Sequence, residues 1–190
     1  AGIAGARTGC ARGWERQIVK MKTAVMGAIA LTGAGVLALA ANAQDRMILP
    51  GANWATMQDE TEGGHRFGNP EAKVKLVEFM SYTCSLCATF ARQGDSAIRL
   101  AYVPTGRISY EIRHLIRDPV DLTAALLTHC GEPQKFAGNH EAIMYRYEDW
   151  MAKVQKSTQA QRSRWQFGSH SARFQAIASD LDFYDIMQGR

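Results

Sequence analysis

Two cysteines, Cys84 and Cys87 in the stretch SYTCSLC (81–87), are the side chains of this sequence best suited to chemistry. Two cysteines with two residues between them can form a redox-active disulfide, supply half of a metal site, or make a static bridge. The thiolate is the form of cysteine that takes part in disulfide exchange, so the pKa of the first thiol decides whether such a pair reacts. That pKa depends on the elements that hold the sulfur atoms.

The segments around the pair predict a strand, a helix and a second strand. The mostly apolar run 74–79, which precedes the pair, is typical of a buried strand. Ile108, Tyr110 and Ile112 alternate with polar residues in the segment 107–114 and predict the second strand. Between them, small or apolar residues recur at steps of three and four, as in an amphipathic helix: Cys87, Phe90, Ala91, Gly94, Ala97, Ile98 and Ala101. This order indicates a βαβ unit with a parallel strand pair.

The βαβ unit places Cys84 at the start of its helix. Backbone N–H groups without helical partners and the positive end of the helix dipole favour a thiolate there. In such surroundings the pKa of a thiol falls from about 8.5 to roughly 3.5–7.5. Cys87 lies one turn further along, on the face that packs inward. We therefore expect Cys84 to exchange with other thiols and Cys87 to be its resolving partner.

Other interpretations of the pair are less well supported. A static bridge would close a loop of a few residues and constrain little of the unfolded chain. A zinc site would need two more ligands; His129 and Cys130 are candidates, but a second closely spaced ligand pair is missing. Residue 88 is Ala, whereas c-type haem attachment requires His there. We expect no metal and no cofactor, and Cys130 is interpreted as a small buried side chain.

The first 43 residues have the layout of an export signal. Lys20 and Lys22 precede the apolar run 24–40, and the small residues 41–43 form an A-x-A cleavage site. We expect a signal peptide over 21–43, cleavage after Ala43, and a non-native upstream extension over 1–20. Cleavage would leave the protein in the oxidising periplasm without a stable membrane anchor.

Removal of this leader changes the charge of the protein. The chain has 22 basic and 18 acidic side chains, a net charge of +4. Residues 1–43 hold five of the basic side chains and one of the acidic ones, so the remainder has 17 of each. A nucleic-acid partner, which would call for a basic surface, is therefore not expected.

The chain after the leader divides into three parts. Residues 44–70 are expected to form an N-terminal loop with a short strand, residues 71–118 the βαβ unit, and residues 119–190 a helical insertion subdomain with an incomplete end. Within the last part, Asp121 is predicted to cap one helix, and Ser169 or Ser171 another.

Other features of the helical part are less regular. Apolar positions from Ile143 to Val154 predict a single helical face, and the polar stretch 155–164 is interpreted as a loop or a frayed helix end. The histidines are interpreted as isolated surface or core residues: His65, His114, His140 and His170.

The stretch GNPEAKVKLVEFMSYTCSLCATFA (68–91) resembles the entry segment of the DsbA-like thioredoxin-fold proteins, in particular an alphaproteobacterial thioredoxin-like branch. The resemblance continues through GRISYEIRHLIRDPVDLTAALLTHC (106–130). It implies an exported thiol:disulfide oxidoreductase that exchanges a Cys84–Cys87 disulfide with reduced or misoxidised secreted proteins, and a membrane quinone-linked reoxidant as a further partner. An alternative is a non-catalytic exported binding or structural protein with a static bridge.

The resemblance also assigns a role to Glu78. This residue matches an acidic side chain that the family keeps under the active site, which implies that Glu78 moves protons during thiol chemistry. A strand carboxylate paired with a neighbouring lysine is the alternative. The catalytic residues implied are therefore Cys84, Cys87 and Glu78.

The sequence departs from the family pattern in two places. Leu86 stands where strongly oxidising members have His, so we expect a less stabilised thiolate and a less oxidising disulfide. The family fold is completed by a cis-proline strand, a last strand and a helix, yet no proline follows Pro133. The expected fold is α/β: a thioredoxin-like βαβ unit with an inserted helical subdomain that lacks the C-terminal ββα part. An inactive, truncated fragment of the enzyme is a further alternative.

Overall fold

A computed structural model describes residues 53–189 as one sheet with helices packed against it. The strands are β1 (Gln58–Glu60), β2 (Gly64–Gly68), β3 (Val74–Met80) and β4 (Ile108–His114). They lie in the order β1-β2-β4-β3; β3 and β4 are parallel, and the other neighbours are antiparallel. The expected signal peptide and upstream extension fall outside the described residues.

The predicted βαβ unit is confirmed. Between β3 and β4 the chain forms helix α1 (Ser85–Phe90) and continues through two π-helical stretches and a 3₁₀ turn: Ala91–Asp95, Ile98–Tyr102 and Val103–Thr105. Gly94 lies in the first π-helical stretch, where a Cβ atom would come within 2.5 Å of the Phe90 ring. The missing side chain thus allows the Phe90 ring to lie against the helix.

β3 is more exposed than the apolar run predicted. Met80 at its end is buried, but Val74 and Phe79 are 54% and 61% exposed. The reason is that β3 pairs with β4 along one edge, and no strand within residues 53–189 pairs with the other edge. The apolar pattern therefore identified the strand correctly but not how much of it is covered.

Residues 58–68 form two strands, where a loop with a short strand was expected. β2 pairs along its whole length with β4, which brings the two backbones close together. A Cβ atom at Gly64 would lie 1.8 Å from the carbonyl oxygen of Ile112, so this approach requires glycine.

The helical part follows β4 directly. Its helices are α2 (Pro119–Thr128), α3 (Phe136–Tyr145), α4 (Tyr147–Gln155), α5 (Gln159–Gln166), α6 (His170–Asp180) and α7 (Phe183–Gln188). The single helical face predicted from 143 to 154 is thus divided between α3 and α4, with a break at Arg146.

The helix ends were predicted in part. Ser169 caps α6 as expected. The prediction of a loop or frayed end over 155–164 is confirmed only for residues 156–158, because Thr158 and Gln161 form a capping box that begins α5. The prediction that Asp121 caps α2 was wrong: Asp118 is the cap, and its carboxylate accepts from the N–H of Asp121.

The hydrophobic core lies between the helices and one face of the sheet. Tyr110 and Ile112 of β4 are fully buried there, and Ile112 is in register with Glu78 of β3. Glu78 therefore points toward the helices, because residues in register on paired strands share a face. None of the helices in the described part has the length and apolar character needed to cross a bilayer.

Candidate active site

Cys84 lies where the loop after β3 enters α1. It is the N-cap residue, with extended backbone angles (φ −100°, ψ 117°), and its Sγ accepts a hydrogen bond from the N–H of Cys87 at 3.3 Å. An N-cap side chain satisfies a backbone N–H group that has no partner within the helix. The predicted position of Cys84 is thus confirmed, and both cysteines are present as thiols.

The surroundings of Cys84 favour its thiolate. Partial burial raises the pKa of this thiol, but hydrogen bonds from the Cys87 thiol and from the N–H groups of Cys87 and Leu86 lower it, and the charge of Arg117 lowers it further. The net pKa lies below the ordinary value of a thiol. Leu86 thus contributes through its backbone, although its side chain is exposed.

Cys87 has the opposite electrostatics. Burial raises the pKa of this thiol to about 11, and the hydrogen bond to Cys84 and the charges of Cys84 and Glu78 act in the same direction. A neutral Cys87 can therefore donate to an ionised Cys84. Cys84 and Cys87 are only three residues apart, yet their surroundings favour the thiolate of Cys84 and the neutral thiol of Cys87.

Glu78 lies on the face of β3 that meets the helices. Its carboxylate accepts a hydrogen bond from the hydroxyl of Tyr110 rather than from a lysine. Burial raises the pKa of Glu78; the Tyr110 hydrogen bond opposes this, and the charge of Asp95 adds to it. A buried carboxyl with a raised pKa keeps its proton to a higher pH than an exposed carboxyl does.

Asp121 holds the loop that precedes Cys84. Its fully buried carboxylate accepts from the Ser81 hydroxyl at 2.5 Å, from the N–H of Tyr82 at 2.7 Å, and from the N–H of Arg117 at 2.9 Å. This role could not be predicted from the sequence, because Asp121 lies about forty residues after its partners in the loop. The local sequence shows only that Asp121 stands three residues after Asp118, the cap of α2, and this does not reveal its contacts with the loop.

Arg117 extends this network toward Cys84. Its guanidinium donates to the hydroxyls of Ser81 at 3.0 Å and Thr83 at 3.2 Å. The Thr83 hydroxyl in turn donates to the carboxylate of Asp118 at 2.6 Å. The positive charge that lowers the pKa of Cys84 is therefore held in place by the loop that carries Cys84.

Tyr147, at the start of α4, is also close to the cysteine pair. Burial raises the pKa of its hydroxyl, and the charges of Cys84 and Cys87 add to this effect. In the sequence, Tyr147 belongs to the apolar positions between Ile143 and Val154 and carries no sign of a role beside the cysteines. Its proximity to the cysteines depends on how α4 packs against the loop, which no local pattern encodes.

The interpretation of the histidines as isolated residues was wrong for all but His170, which is exposed. Four of them surround the ring of Phe136, with centroid distances of 3.8 to 5.9 Å: His65, His114, His129 and His140. We call this group the histidine cluster. Nε2 of His114 lies 3.1 Å from Nε2 of His129, and Nδ1 of His140 lies 3.0 Å from the Tyr82 hydroxyl.

Burial lowers the pKa of these histidines. It lowers the pKa of His65 and His140 to about 3 and that of His114 to about 4, with further lowering by neighbouring positive charge. Within residues 53–189, no three His, Cys, Asp or Glu side chains are arranged to hold a metal ion. His129, a zinc candidate in the sequence, instead faces His114.

The chain was compared with known proteins. Protein-disulfide oxidoreductases of Rickettsia typhi and Rickettsia conorii are 33% and 32% identical to it over 84 residues, or 44% of this chain. The chain spans about a third of the length of these curated relatives, 31% and 30% respectively. The crystal structure of a protein-disulfide isomerase from Novosphingobium aromaticivorans has a TM-score of 0.63 and 43% identity, over 67% of this chain and 65% of that one.

A family model described as thioredoxin matches residues 60–188. This match includes β2 to β4, the cysteine pair and the whole helical part, and it covers more than half of the chain. The resemblance of the sequence to thioredoxin-fold proteins is thereby confirmed: the chain belongs to the thioredoxin family.

Proposed function

We propose that this chain is a thiol:disulfide oxidoreductase whose redox centre is the pair Cys84 and Cys87. The observation that carries the proposal is the position of the Cys84 sulfur at the N-cap of α1, 3.3 Å from the N–H of Cys87. This position stabilises a thiolate, which is both the attacking and the leaving group of disulfide exchange. The similarity to protein-disulfide oxidoreductases supports the same chemistry.

The first step begins with a disulfide between Cys84 and Cys87. A substrate thiolate attacks Sγ of Cys84, a bond forms between these two sulfurs, and the bond between Cys84 and Cys87 breaks. Cys87 leaves as a thiolate and takes a proton, as expected for a thiol with a pKa of about 11. The product is a mixed disulfide between substrate and Cys84.

The second step releases the substrate. A second thiolate of the substrate attacks the substrate sulfur of the mixed disulfide, and Cys84 leaves as a thiolate. The substrate has lost two electrons and the cysteine pair has gained them. A leaving thiol with a lowered pKa speeds this step, and Cys84 has such a pKa.

Glu78 exchanges the proton of Cys87 in this scheme. It faces the helices, its pKa is raised by burial, and its charge acts on Cys87. A carboxyl with a pKa nearer to neutral pH is a better proton carrier than one with the ordinary value. Tyr110 would keep the carboxylate oriented through its hydroxyl.

The proposed substrates are reduced or misoxidised secreted proteins in the periplasm. The signal-like segment of residues 21–43 supports this location, because structural and redox disulfides persist in oxidising compartments. A membrane quinone-linked reoxidant would return the cysteine pair to its disulfide form by accepting the two electrons.

The proposal is tested by thiol reactivity and by turnover. The rate of alkylation of Cys84 in the reduced full chain is measured against pH, and we expect a midpoint below the value of about 8.5 for an ordinary thiol. The full chain should also accelerate the reduction of insulin by dithiothreitol.

Two variants separate the roles of the cysteines. Cys84→Ser should lose all acceleration, whereas Cys87→Ser should accumulate a mixed disulfide that mass spectrometry detects. If the wild-type chain shows neither acceleration nor a lowered alkylation midpoint, the cysteines are a static pair and the proposal is wrong.

A further inference from the structure

We propose that a cavity beside the cysteine pair binds an apolar side chain of the substrate polypeptide and an acidic side chain next to it. This inference rests on the proposed function and names a feature of its substrates. The cavity has a volume of about 430 Å³ and lies between α2, α4 and α5. Thr83, the residue before Cys84, is part of its lining, so the cavity begins one residue away from the reacting cysteine in the chain.

The lining of the cavity is mainly apolar. It includes side chains from three helices: Val120 of α2, Met151 and Val154 of α4, and Trp165 of α5. Val120 and Trp165 are largely buried in the core, so the wall they form is held in place by packing. A fixed apolar cavity open at one side suits an aliphatic side chain, whose burial is favourable in proportion to the area removed from water.

Helix α4 connects the cavity to the cysteines. Tyr147 is close enough to Cys84 and Cys87 to experience their charge, and Met151 and Val154 follow it on the same helix face. At 1.5 Å per residue, these side chains lie about 6 and 10 Å from Tyr147 along the helix. An extended peptide advances about 3.3–3.6 Å per residue. The apolar side chain would therefore stand two or three residues from the substrate cysteine.

The charge at the cavity favours an acidic neighbour. Arg117 and Arg162 belong to its lining, and their guanidinium groups donate to hydroxyls: Arg117 to Ser81 and Thr83, and Arg162 to Ser157. Within the described part of the chain, neither arginine is paired with a carboxylate. A carboxylate of the substrate can therefore form a charge-assisted hydrogen bond with either of them.

The acidic residue of the lining does not cancel this charge. The carboxylate of Asp118 already accepts hydrogen bonds from the Thr83 hydroxyl and from the N–H of Asp121. The apolar wall and the two arginines together favour one occupant, an extended polypeptide. This polypeptide has Leu or Met two or three residues from its cysteine, and Asp or Glu next to that Leu or Met.

The test uses reduced single-cysteine peptides and the oxidised full chain. Each peptide carries Leu or Ser at the third position from the cysteine and Glu or Lys at the next, on the N-terminal or the C-terminal side. The second-order rate constant for opening the Cys84–Cys87 disulfide, with formation of a mixed disulfide between the peptide and Cys84, is measured for each. Burial of one aliphatic side chain predicts that the Leu and Glu peptide reacts about tenfold faster than the Ser and Lys peptide, on one side of the cysteine only.

Two pairs of variants locate this preference at the cavity. Val154→Arg should reduce the ratio of the Leu to the Ser rates to about one, whereas Gln155→Arg, an exposed neighbour outside the cavity, should keep it. Arg162→Glu should turn the preference for Glu into one for Lys, whereas Lys156→Glu should not. Arg162 is exposed, so its variant keeps the test decisive if thermal melting shows that Val154→Arg does not fold.

The outcomes distinguish this inference from the function on which it rests. Glutathione is included as a thiol without an aliphatic side chain for the cavity. Failure of glutathione to reduce the oxidised chain would overturn the proposed function and this inference together. Exchange with glutathione but equal rates for all peptides, or a preference that survives both Val154→Arg and Arg162→Glu, would overturn the inference alone.

Discussion

Two buried polar groups meet at Tyr82, two residues before the reactive cysteine, and they differ in how their hydrogen bonds are satisfied. Asp121 accepts from the N–H of Tyr82, and the histidine cluster contacts the hydroxyl of the same residue through His140. The Asp121 carboxylate accepts three hydrogen bonds. The histidine cluster leaves ring nitrogens buried without a partner: Nδ1 of His65, Nδ1 of His114 and Nε2 of His140.

The comparison shows two ways in which the fold supports the loop before Cys84. Asp121 is charged and stabilises the loop because donors surround it. His140 stabilises the fold while it is neutral, because its imidazolium form would leave the N–H at Nε2 buried without an acceptor. Removing the Asp121 carboxylate from its donors should therefore destabilise the fold, whereas the histidine cluster should destabilise the fold when its members become protonated.

Removal of the Asp121 carboxylate should have the largest effect. Asp121→Ala leaves the N–H of Tyr82 and the hydroxyl of Ser81 buried without their acceptor, so we expect the free energy of unfolding to fall by about 3–5 kcal/mol. Urea denaturation at pH 7 measures this. The control is Asp149→Ala, because Asp149 is exposed and pairs with the exposed Arg146; it should change the stability by less than about 0.5 kcal/mol. Equal losses in the two variants would show that Asp121 does not hold the loop.

Acidification should have the next largest effect and should act through the histidine cluster. The pKa of His140 is lowered by burial to about 3, below the value of about 6.5 in the unfolded chain. As the pH falls below about 6.5, His140 becomes protonated in the unfolded state but stays neutral in the folded state, so the free energy of unfolding decreases. Between pH 7 and pH 5, His140 alone should account for a loss of about 2 kcal/mol.

A variant of His140 tests whether this pH dependence comes from that residue. His140→Gln should reduce the difference in the free energy of unfolding between pH 7 and pH 5, measured by urea denaturation. His170→Gln, an exposed histidine outside the cluster, should leave the difference unchanged. A wild-type protein that is equally stable at both pH values would contradict the burial of neutral histidines.

Removal of the Arg117 charge should have the smallest effect, and on reactivity rather than stability. Arg117→Gln removes one of the contributions that lower the pKa of Cys84, so the alkylation midpoint should move to higher pH. Because Arg117 is exposed to solvent, the rate at pH 7 should fall only about twofold. Arg117→Lys should retain most of the rate.

Arg107→Gln, at the opposite end of β4, is the matched control for this loss of charge and should leave the alkylation midpoint in place. An unchanged midpoint in Arg117→Gln would limit the role of this side chain to its hydrogen bonds with Ser81 and Thr83.

Which elements of this fold could be predicted from the sequence depends on how far apart in the chain the residues that stabilise them are. The strand before Cys84, the helix after it and the cap position of its sulfur were predicted, because each depends on residues a few positions apart. The length of β2 was missed because β2 is stabilised by pairing with β4, some 45 residues later, and β1 was missed because it pairs in turn with β2. The exposure of Phe79 was missed because an apolar pattern does not reveal whether a partner strand is present.

By itself, the sequence determined that a thiol stands at the junction of a strand and a helix, because periodicity and capping act within one or two helical turns. The packing of the helices decided which groups act on that thiol: Asp121 holds its loop, and Arg117 and Tyr147 interact with its charge. The same packing gathers four histidines around the ring of Phe136. These groups are far apart in the chain, and only the packing of the helices against the sheet brings them within hydrogen-bonding or charge-interaction distance of one another.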